Sequence, residues 1–324
     1  MDTQNTATAE VYVQSGGAVY GLPVHAGLTL VWQAQNAPGK LQFSVPVKDA
    51  AHITTGSTVQ LRVNGANVFL GYVFSVLADE SGAVQVTAYD QLRYFKNKDT
   101  YVYTNKTAGE LVSIIANDFK LKTGALADTG YKIAQRAEDN KTLFDIVQTA
   151  LSLTFQAKNK LFVLLDDCGA LVLRNVANMR LPLLLDGETA QGYAYLRSID
   201  SATYNKIKLV YANARKGIRE VTIAQDAQNI SRWGVLQHYG TLQQQENGRA
   251  KANALLAAYN REGRTLTVTG AYGDIRVRAG CSVWVQLPLY DGALSQYMLI
   301  ESVRHTFSAL HTMDLQLRGG DFYG

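Results

Sequence analysis

Thr58-Val59-Gln60-Leu61-Arg62-Val63-Asn64-Gly65 is the stretch on which the fold turns. Val59, Leu61 and Val63 alternate with Thr58, Gln60, Arg62 and Asn64, a period of two that puts one face of a strand in a core and the other outside. Asn64-Gly65 separates this strand from the apolar run Val68 to Leu77, and both turn residues tolerate the positive φ of a two-residue hairpin. The same alternation appears upstream, where Leu41, Phe43, Val45 and Val47 are set against Lys40, Gln42, Ser44 and Pro46. It returns after a turn at Asp79-Glu80-Ser81-Gly82, in Val84, Val86 and Ala88. Evenly spaced strands of this kind close into barrels or sandwiches, so residues 1–97 are expected to form a first antiparallel β-barrel.

Downstream the period changes. Thr107-Ala-Gly-Glu110 matches a capping box, and Leu111, Ile114, Ile115 and Phe119 follow at helical spacing. Thr142-Leu-Phe-Asp145 repeats the signal, with Leu143, Ile146, Val147, Ala150 and Leu151 on one stripe. Two apolar runs, Leu161 to Leu165 and Leu171 to Leu173, are then joined across Asp166-Asp167-Cys168-Gly169, a good turn sequence. Residues 98–190 therefore read as a small α+β middle domain.

After about residue 191 strands resume, at Lys206 to Tyr211 and Gly217 to Ile223. A helix from about Gln244 to Tyr259 carries Ala252, Leu255, Leu256 and Tyr259 on a stripe and ends near Gly263. Leu266 and Val268, then Val283, Val285 and Leu287, and finally Met313, Leu315 and Leu317 alternate against polar partners. Residues 191–324 are expected to form a second barrel with a helix inserted at about 244–260. The whole is mainly β, α+β overall, and the order β, then α+β, then β suggests two related barrels in one chain.

With 324 residues the chain exceeds one typical domain, and 47% apolar against 18% charged residues can bury a sizeable core. Few charges alongside 18 Tyr and 10 Phe suit a protein whose flanks neighbours cover, although a β-rich monomer favours Tyr, Val and Thr too. A net charge of +4, from 31 basic and 27 acidic side chains, is too even to indicate nucleic-acid binding. The richest basic stretch holds Lys206, Lys208, Arg215, Lys216 and Arg219, and reads as a solvated hairpin face ahead of a phosphate-binding patch. Cys168 and Cys281 lie in different expected domains, which argues against a disulfide framework. Met1-Asp2-Thr3-Gln4-Asn5 lacks the basic and apolar regions of a secretory signal, and no apolar run is long enough to span a bilayer. Synthesis and folding in a reducing cytoplasm are expected, with release by lysis open to an assembled particle.

The chemistry-bearing residues form no recognised constellation. The histidines are His25, His52, His238, His305 and His311, and none pairs at metal-ligand spacing. His305 and His311, the nearest pair, flank Thr306-Phe-Ser-Ala-Leu310, the expected tip of a hairpin. No Gly-x-Ser-x-Gly elbow, phosphate-cradling Gly-Lys-Ser/Thr loop or Gly-x-Gly-x-x-Gly turn occurs. A wall hydrolase needs two carboxylates about a sugar bond. Asp79-Glu80, Glu138-Asp139 and Asp166-Asp167 all fall at turns or helix approaches, where acids serve backbone hydrogen bonding. Trp32, Trp233 and Trp284 could line a sugar groove, but on alternating strands Trp more often packs or meets a subunit. The expectation is a non-enzyme with no catalytic, cofactor-binding or metal-binding residues.

Val86-Thr-Ala-Tyr-Asp-Gln-Leu-Arg-Tyr-Phe95 and the terminal His305-Thr-Phe-Ser-Ala-Leu-His-Thr-Met-Asp-Leu-Gln-Leu-Arg318 resemble the baseplate central hub proteins of contractile phage tails, in particular the PBSX-type prophage hub family. The helix at Thr107 to Phe119, the helix and hairpin from Thr142, and Arg264-Thr-Leu-Thr-Val-Thr-Gly270 before Arg278-Ala-Gly280 follow the order of that family. The resemblance implies two tail-tube-like barrels per chain and a homotrimer, hence a pseudo-sixfold ring in the virion baseplate or in a phage-tail-like particle such as a tailocin. Its implied partners are the spike protein, the tail tube and other baseplate proteins, with the tape-measure protein a further candidate. A tail-tube or distal-tail ring subunit, with one barrel per chain, and a wall-binding or wall-hydrolysing tail protein stay open beside it.

Overall fold

Alternation along the chain becomes alternation across a sheet. The computed structural model describes residues 7–200, 202–213, 217–242, 247–289 and 292–319. It is mainly β, with a large and mostly antiparallel principal sheet. Thr58–Val63 and Ala66–Ala78 are joined through Asn64 and Gly65, which take φ of 50° and 78° with Val63 opposite Ala66. That is the two-residue hairpin expected from the Asn-Gly pair, and Val59, Leu61 and Val63 are buried as the alternation requires. From there the hydrogen-bonded order runs one way to Ala9–Ser15 and Ala18–Leu22, and the other way through Ala83–Tyr89 and Lys40–Pro46 to Leu28–Gln33.

Leu28–Gln33 pairs next with the last part of the chain. Gly292–Phe307 meets Ser282–Leu289 along its first half. Along its second half it lies between His311–Arg318 and Leu28–Gln33. Its register shifts between Ile300 and Ser302, a bulge at the place where the strand exchanges one partner for another.

The middle segment adds Ala108–Asp118 and Leu143–Lys158, the two expected helices. Thr107 accepts from the Glu110 N–H at 3.2 Å, and Glu110 Oε2 accepts from the Thr107 N–H at 2.7 Å, completing the capping box. At Thr142 the reciprocal bond differs. Asp145, one methylene shorter than Glu, accepts from the Thr142 hydroxyl at 2.5 Å instead. Leu111 and Ile115 on one helix and Leu143, Ile146 and Ala150 on the other pack fully buried against Leu171 and Leu173. The hairpin Phe162–Asp166 and Leu171–Asn175 turns through Cys168 and Gly169 at φ of 50° and 90°. Lys98–Lys106 and Ile133–Thr142 pair antiparallel, with the first helix and Thr123–Leu126 between them in the chain; sequence alternation did not reveal them, because the face that carries buried Tyr101 and Tyr103 is interleaved with exposed Val102 and flanked by polar residues.

Two compact units divide the chain, one of Met1–Ala194 with Leu266–Gly324 and one of Tyr195–Thr265. In the smaller unit Lys206–Asn213 pairs antiparallel with Ile218–Gln225 and parallel with Gln237–Thr241. Gly248–Tyr259 packs on that sheet through Ala252 and Leu255 against Ile207 and Leu209. The helix expected at about 244–260 is therefore present over its described part and arrives with three strands. Ala227–Trp233, capped by Asp226, is a further helix that the sequence reading missed, since it buries no residue and leaves no apolar stripe.

Candidate functional site

Asp90 and Gln91, which no chemical motif singled out, sit at the centre of a buried polar junction. Asp90 follows Ala83–Tyr89 and caps the 3-10 turn Gln91–Lys96 by accepting from the Leu92 N–H at 3.0 Å. Its second oxygen accepts from the Gly39 N–H at 2.8 Å. A Cβ on Gly39 would stand 2.4 Å from Asp90 Oδ2 and 2.9 Å from the Trp32 indole, so only glycine lets these backbones approach. Gln91 donates to Asp166 Oδ2 at 3.1 Å and to the Gly169 carbonyl at 2.6 Å, and accepts from the Lys122 N–H at 2.9 Å. Asp166 Oδ1 closes its own turn by accepting from the Gly169 N–H at 2.6 Å.

Arg278 reaches this turn from the last part of the chain. It donates to the Asp166 carbonyl and pairs with Asp167 at 3.2 Å, while Arg174 holds the other oxygen of Asp167 at 2.6 Å. The Arg278 guanidinium lies 4.5 Å from the ring centroid of Trp32, and that indole forms a T-shaped pair with His305, the ring centroids 5.5 Å apart. Stretches far apart in sequence are thereby tied to one another by charge-assisted and amide hydrogen bonds.

The electrostatics follow from burial. Desolvation pushes Asp90 well above the ordinary carboxylate range, and the nearby Asp166 adds to the push. Asp166 is raised too, chiefly by burial, against the pull of the Gly169 N–H and Gln91. Two carboxyls of raised affinity for protons resemble an acid/base pair. Yet each oxygen of both is engaged by a backbone N–H or an amide, an arrangement that positions strands and turns.

His305 and His311 flank the hairpin tip, as expected, and face each other across it. His311 pairs with Phe307, so His305 lies two residues along on the same face. His305 Nε2 is 2.9 Å from the Val277 carbonyl and must donate there, which leaves Nδ1 to accept from His311 Nε2 at 2.9 Å. Burial drives His305 down to about 3 and His311 down to about 4, so both rings are neutral at pH 7. Both nitrogens of His305 are consumed in holding the hairpin. Gly273 makes room for the His311 ring, which a Cβ there would overlap at 2.1 Å.

The other sequence candidates scatter. Asp79 and Glu80 occupy an exposed turn, where Asp79 accepts from the Ser81 N–H at 2.9 Å. Glu138, 1% exposed, is paired with Arg136 at 2.7 Å and Lys141 at 3.1 Å, while exposed Asp139 accepts from the Thr100 hydroxyl. Trp32 is buried in the junction, Trp284 packs edge-on against Tyr297, and Trp233 belongs to the smaller unit beneath Arg232. Lys206, Lys208 and Arg219 decorate strands of the smaller unit, and Arg215 and Lys216 lie outside the described residues. Cys168 and Cys281 are free thiols, both raised by burial. No helix among the described residues is long and apolar enough to cross a membrane.

The fold has known counterparts. The tail protein from Neisseria meningitidis MC58 superposes with a TM-score of 0.71 at 13% identity, covering 97% of this chain and 98% of its own. An E. coli component of the type VI secretion system, described as structurally similar to the T4 bacteriophage tail proteins gp27 and gp5, superposes with a TM-score of 0.57 at 13% identity. That likeness covers 97% of this chain and 78% of the other. In sequence the chain is 28% identical over 305 residues to the uncharacterized protein YqbQ of Bacillus subtilis (strain 168), covering 91% of this chain and 92% of YqbQ. It is 27% identical over 306 residues to the phage-like element PBSX protein XkdQ of the same organism, with the same coverage. A YqbQ-like family model matches residues 28–318, nearly the whole chain, which therefore belongs to the YqbQ-like family.

Proposed function

We propose that this chain is a structural hub subunit in the baseplate of a contractile phage tail or phage-tail-like particle, forming a trimeric, pseudo-sixfold ring that joins the tail tube to the spike. The observation that carries the reading is end-to-end similarity to XkdQ of PBSX together with a fold shared along nearly all of its length with the E. coli component likened to gp27 and gp5. In this reading residues 1–97 and 191–324 supply two tube-like barrels, the second with its helix at about 244–260, and residues 98–190 the middle domain between them. Three chains with two barrels each match a sixfold tube. The ring is assembled in the host cytoplasm and carried in the mature tail, with the tape-measure protein a further contact.

The reading is structural and not catalytic. It is favoured by the engagement of Asp90, Asp166 and Glu138 in backbone bonds and ion pairs, which leaves these buried acids in fixed supporting roles. Light scattering on the purified chain, alone and with its spike protein, tests the assembly. A trimer is expected, a hexamer would favour a tail-tube or distal-tail ring subunit, and a strict monomer under both conditions would overturn the proposal. Turnover of peptidoglycan by the purified chain would overturn its non-catalytic part.

A further inference from the structure

Arg174, Arg180, Arg276 and Arg278 line one cleft of about 500 Å³ beside the middle hairpin. Its remaining wall is apolar and amide in character, with Leu173, Met179 and Leu181 among the residues that face it, and none of the described residues lining it is acidic. Arg174 and Arg278 share Asp167, and Arg276 forms a forked pair with Asp274, so these three guanidiniums have two carboxylates between them, while the Arg180 guanidinium lies 4.8 Å from the ring centroid of Tyr297. Asp90 and Asp166 lie behind Arg278, where burial drives both toward the neutral form. The side chains of Arg174 and Arg276 are 44% and 58% exposed, within reach of a ligand.

We infer that this cleft binds an extended, carboxylate-bearing peptide segment of another protein. Guanidinium forks match carboxylates in two-point geometry. The apolar wall suits the alternate side chains of a segment in which acidic and aliphatic residues take turns. Arg180–Leu185, which supplies Arg180 and Leu181, is paired among the described strands only with Ser282–Leu289, so its other edge offers backbone groups to an added strand. A duplex nucleic acid fits less well, because a short cleft with an apolar wall cannot follow a line of phosphates.

The test measures fluorescence anisotropy of a fluorescein-labelled Asp-Leu-Glu-Leu-Asp-Leu peptide with the full chain at low salt. Saturable binding is expected, weakened at least about tenfold by Arg180→Glu and about threefold by Arg180→Gln, the milder variant should the reversal unfold the protein. Arg62→Glu, an equal change of charge on the strand Thr58–Val63, should leave affinity within about twofold. Equal weakening by Arg62→Glu would show a general charge effect and overturn the inference, as would absence of saturable binding. Displacement of the peptide by oligothymidylate at lower concentration than by unlabelled peptide would overturn it in favour of a nucleic-acid site. The inference goes beyond the hub reading, and its failure leaves the oligomeric test of that reading untouched.

Discussion

The middle segment and the smaller unit both lay a helix over strands, and they are held by different means. In the middle segment Leu111, Ile115, Leu143, Ile146, Leu171 and Leu173 form a continuous apolar interior. In the unit 195–265 the buried apolar cluster among the described residues is Ile207, Leu209, Ala252 and Leu255, and amides do much of the remaining work. Asn205, 0% exposed, donates to the Gly234 carbonyl at 2.7 Å and accepts from the Leu236 N–H at 2.9 Å. Asn260 donates to Asp226 at 2.8 Å and accepts from Asn229 at 2.9 Å. A small unit has too little interior to stand on apolar burial alone, and satisfied hydrogen bonds supply its specificity.

Acid should separate the larger unit, to which the middle segment belongs, from the smaller one most strongly. The larger unit keeps His305 and His311 neutral with affinities of about 3 and about 4, below the ordinary 6.5, mainly through desolvation, with Asp274 pulling against it. Between those values the unfolded chain holds more protons than the folded one, so the pair's contribution is fully present above pH 6.5 and is lost as pH falls. Asp90 and Asp166 act in the opposite sense, since raised carboxyls cost stability as pH climbs past the ordinary carboxylate range. From pH 7 to pH 5 thermal unfolding of the larger unit should lose about 2–4 kcal/mol through the imidazoles. The double variant His305→Gln/His311→Gln should flatten that slope, and an unchanged slope would assign the titration elsewhere. The amide network around Asn205 should keep its hydrogen-exchange protection over the same range.

Asn205→Ala reverses the experiment. It removes two part-buried hydrogen bonds, one to the Gly234 carbonyl and one from the Leu236 N–H, at about 1–3 kcal/mol for the pair. Hydrogen exchange should speed up across residues 204–260 while amides of Ala108–Asp118 and Leu143–Lys158 stay protected. Uniform loss of protection would mean that the two units unfold together, and the contrast between them would carry no thermodynamic weight.

What the sequence made legible was local. Asn64-Gly65, the capping box at Thr107 and the turn at Asp166 to Gly169 each depend on residues within a few positions of one another, and each is found. The helix Leu143–Lys158 buries the stripe that its spacing defined, whereas Ala108–Asp118 buries Leu111 and Ile115 of its expected stripe together with Val112 and Ala116 and leaves Ile114 and Phe119 half-buried. The junction was not legible, because Gln91 and Asp166 are 75 positions apart and Gly39 and Asp90 are 51 apart, with no periodicity linking them. The turn of His305 and His311 could be read, but their mutual hydrogen bond required the strand register. Ala227–Trp233 had only Asp226 as a cap signal, without apolar spacing to support it.

The two helix caps give the finest contrast, between a side chain that reaches the backbone and one that stops at its neighbour. Thr107→Ala and Thr142→Ala should each cost about 1 kcal/mol, since each removes the hydroxyl that accepts the N–H of Glu110 or Asp145. The third residues differ. Glu110 satisfies the Thr107 N–H, whereas the carboxylate of Asp145 bonds to the Thr142 hydroxyl. Removing Glu110 withdraws an acceptor from a backbone donor, while removing Asp145 leaves an exposed hydroxyl that water can satisfy. Glu110→Ala should therefore destabilise by about 0.5–1 kcal/mol and Asp145→Ala by less, measured by urea unfolding of the full chain. Equal losses would show that the acids act through their charge at the positive end of each helix, because that contribution does not depend on which donor the carboxylate reaches.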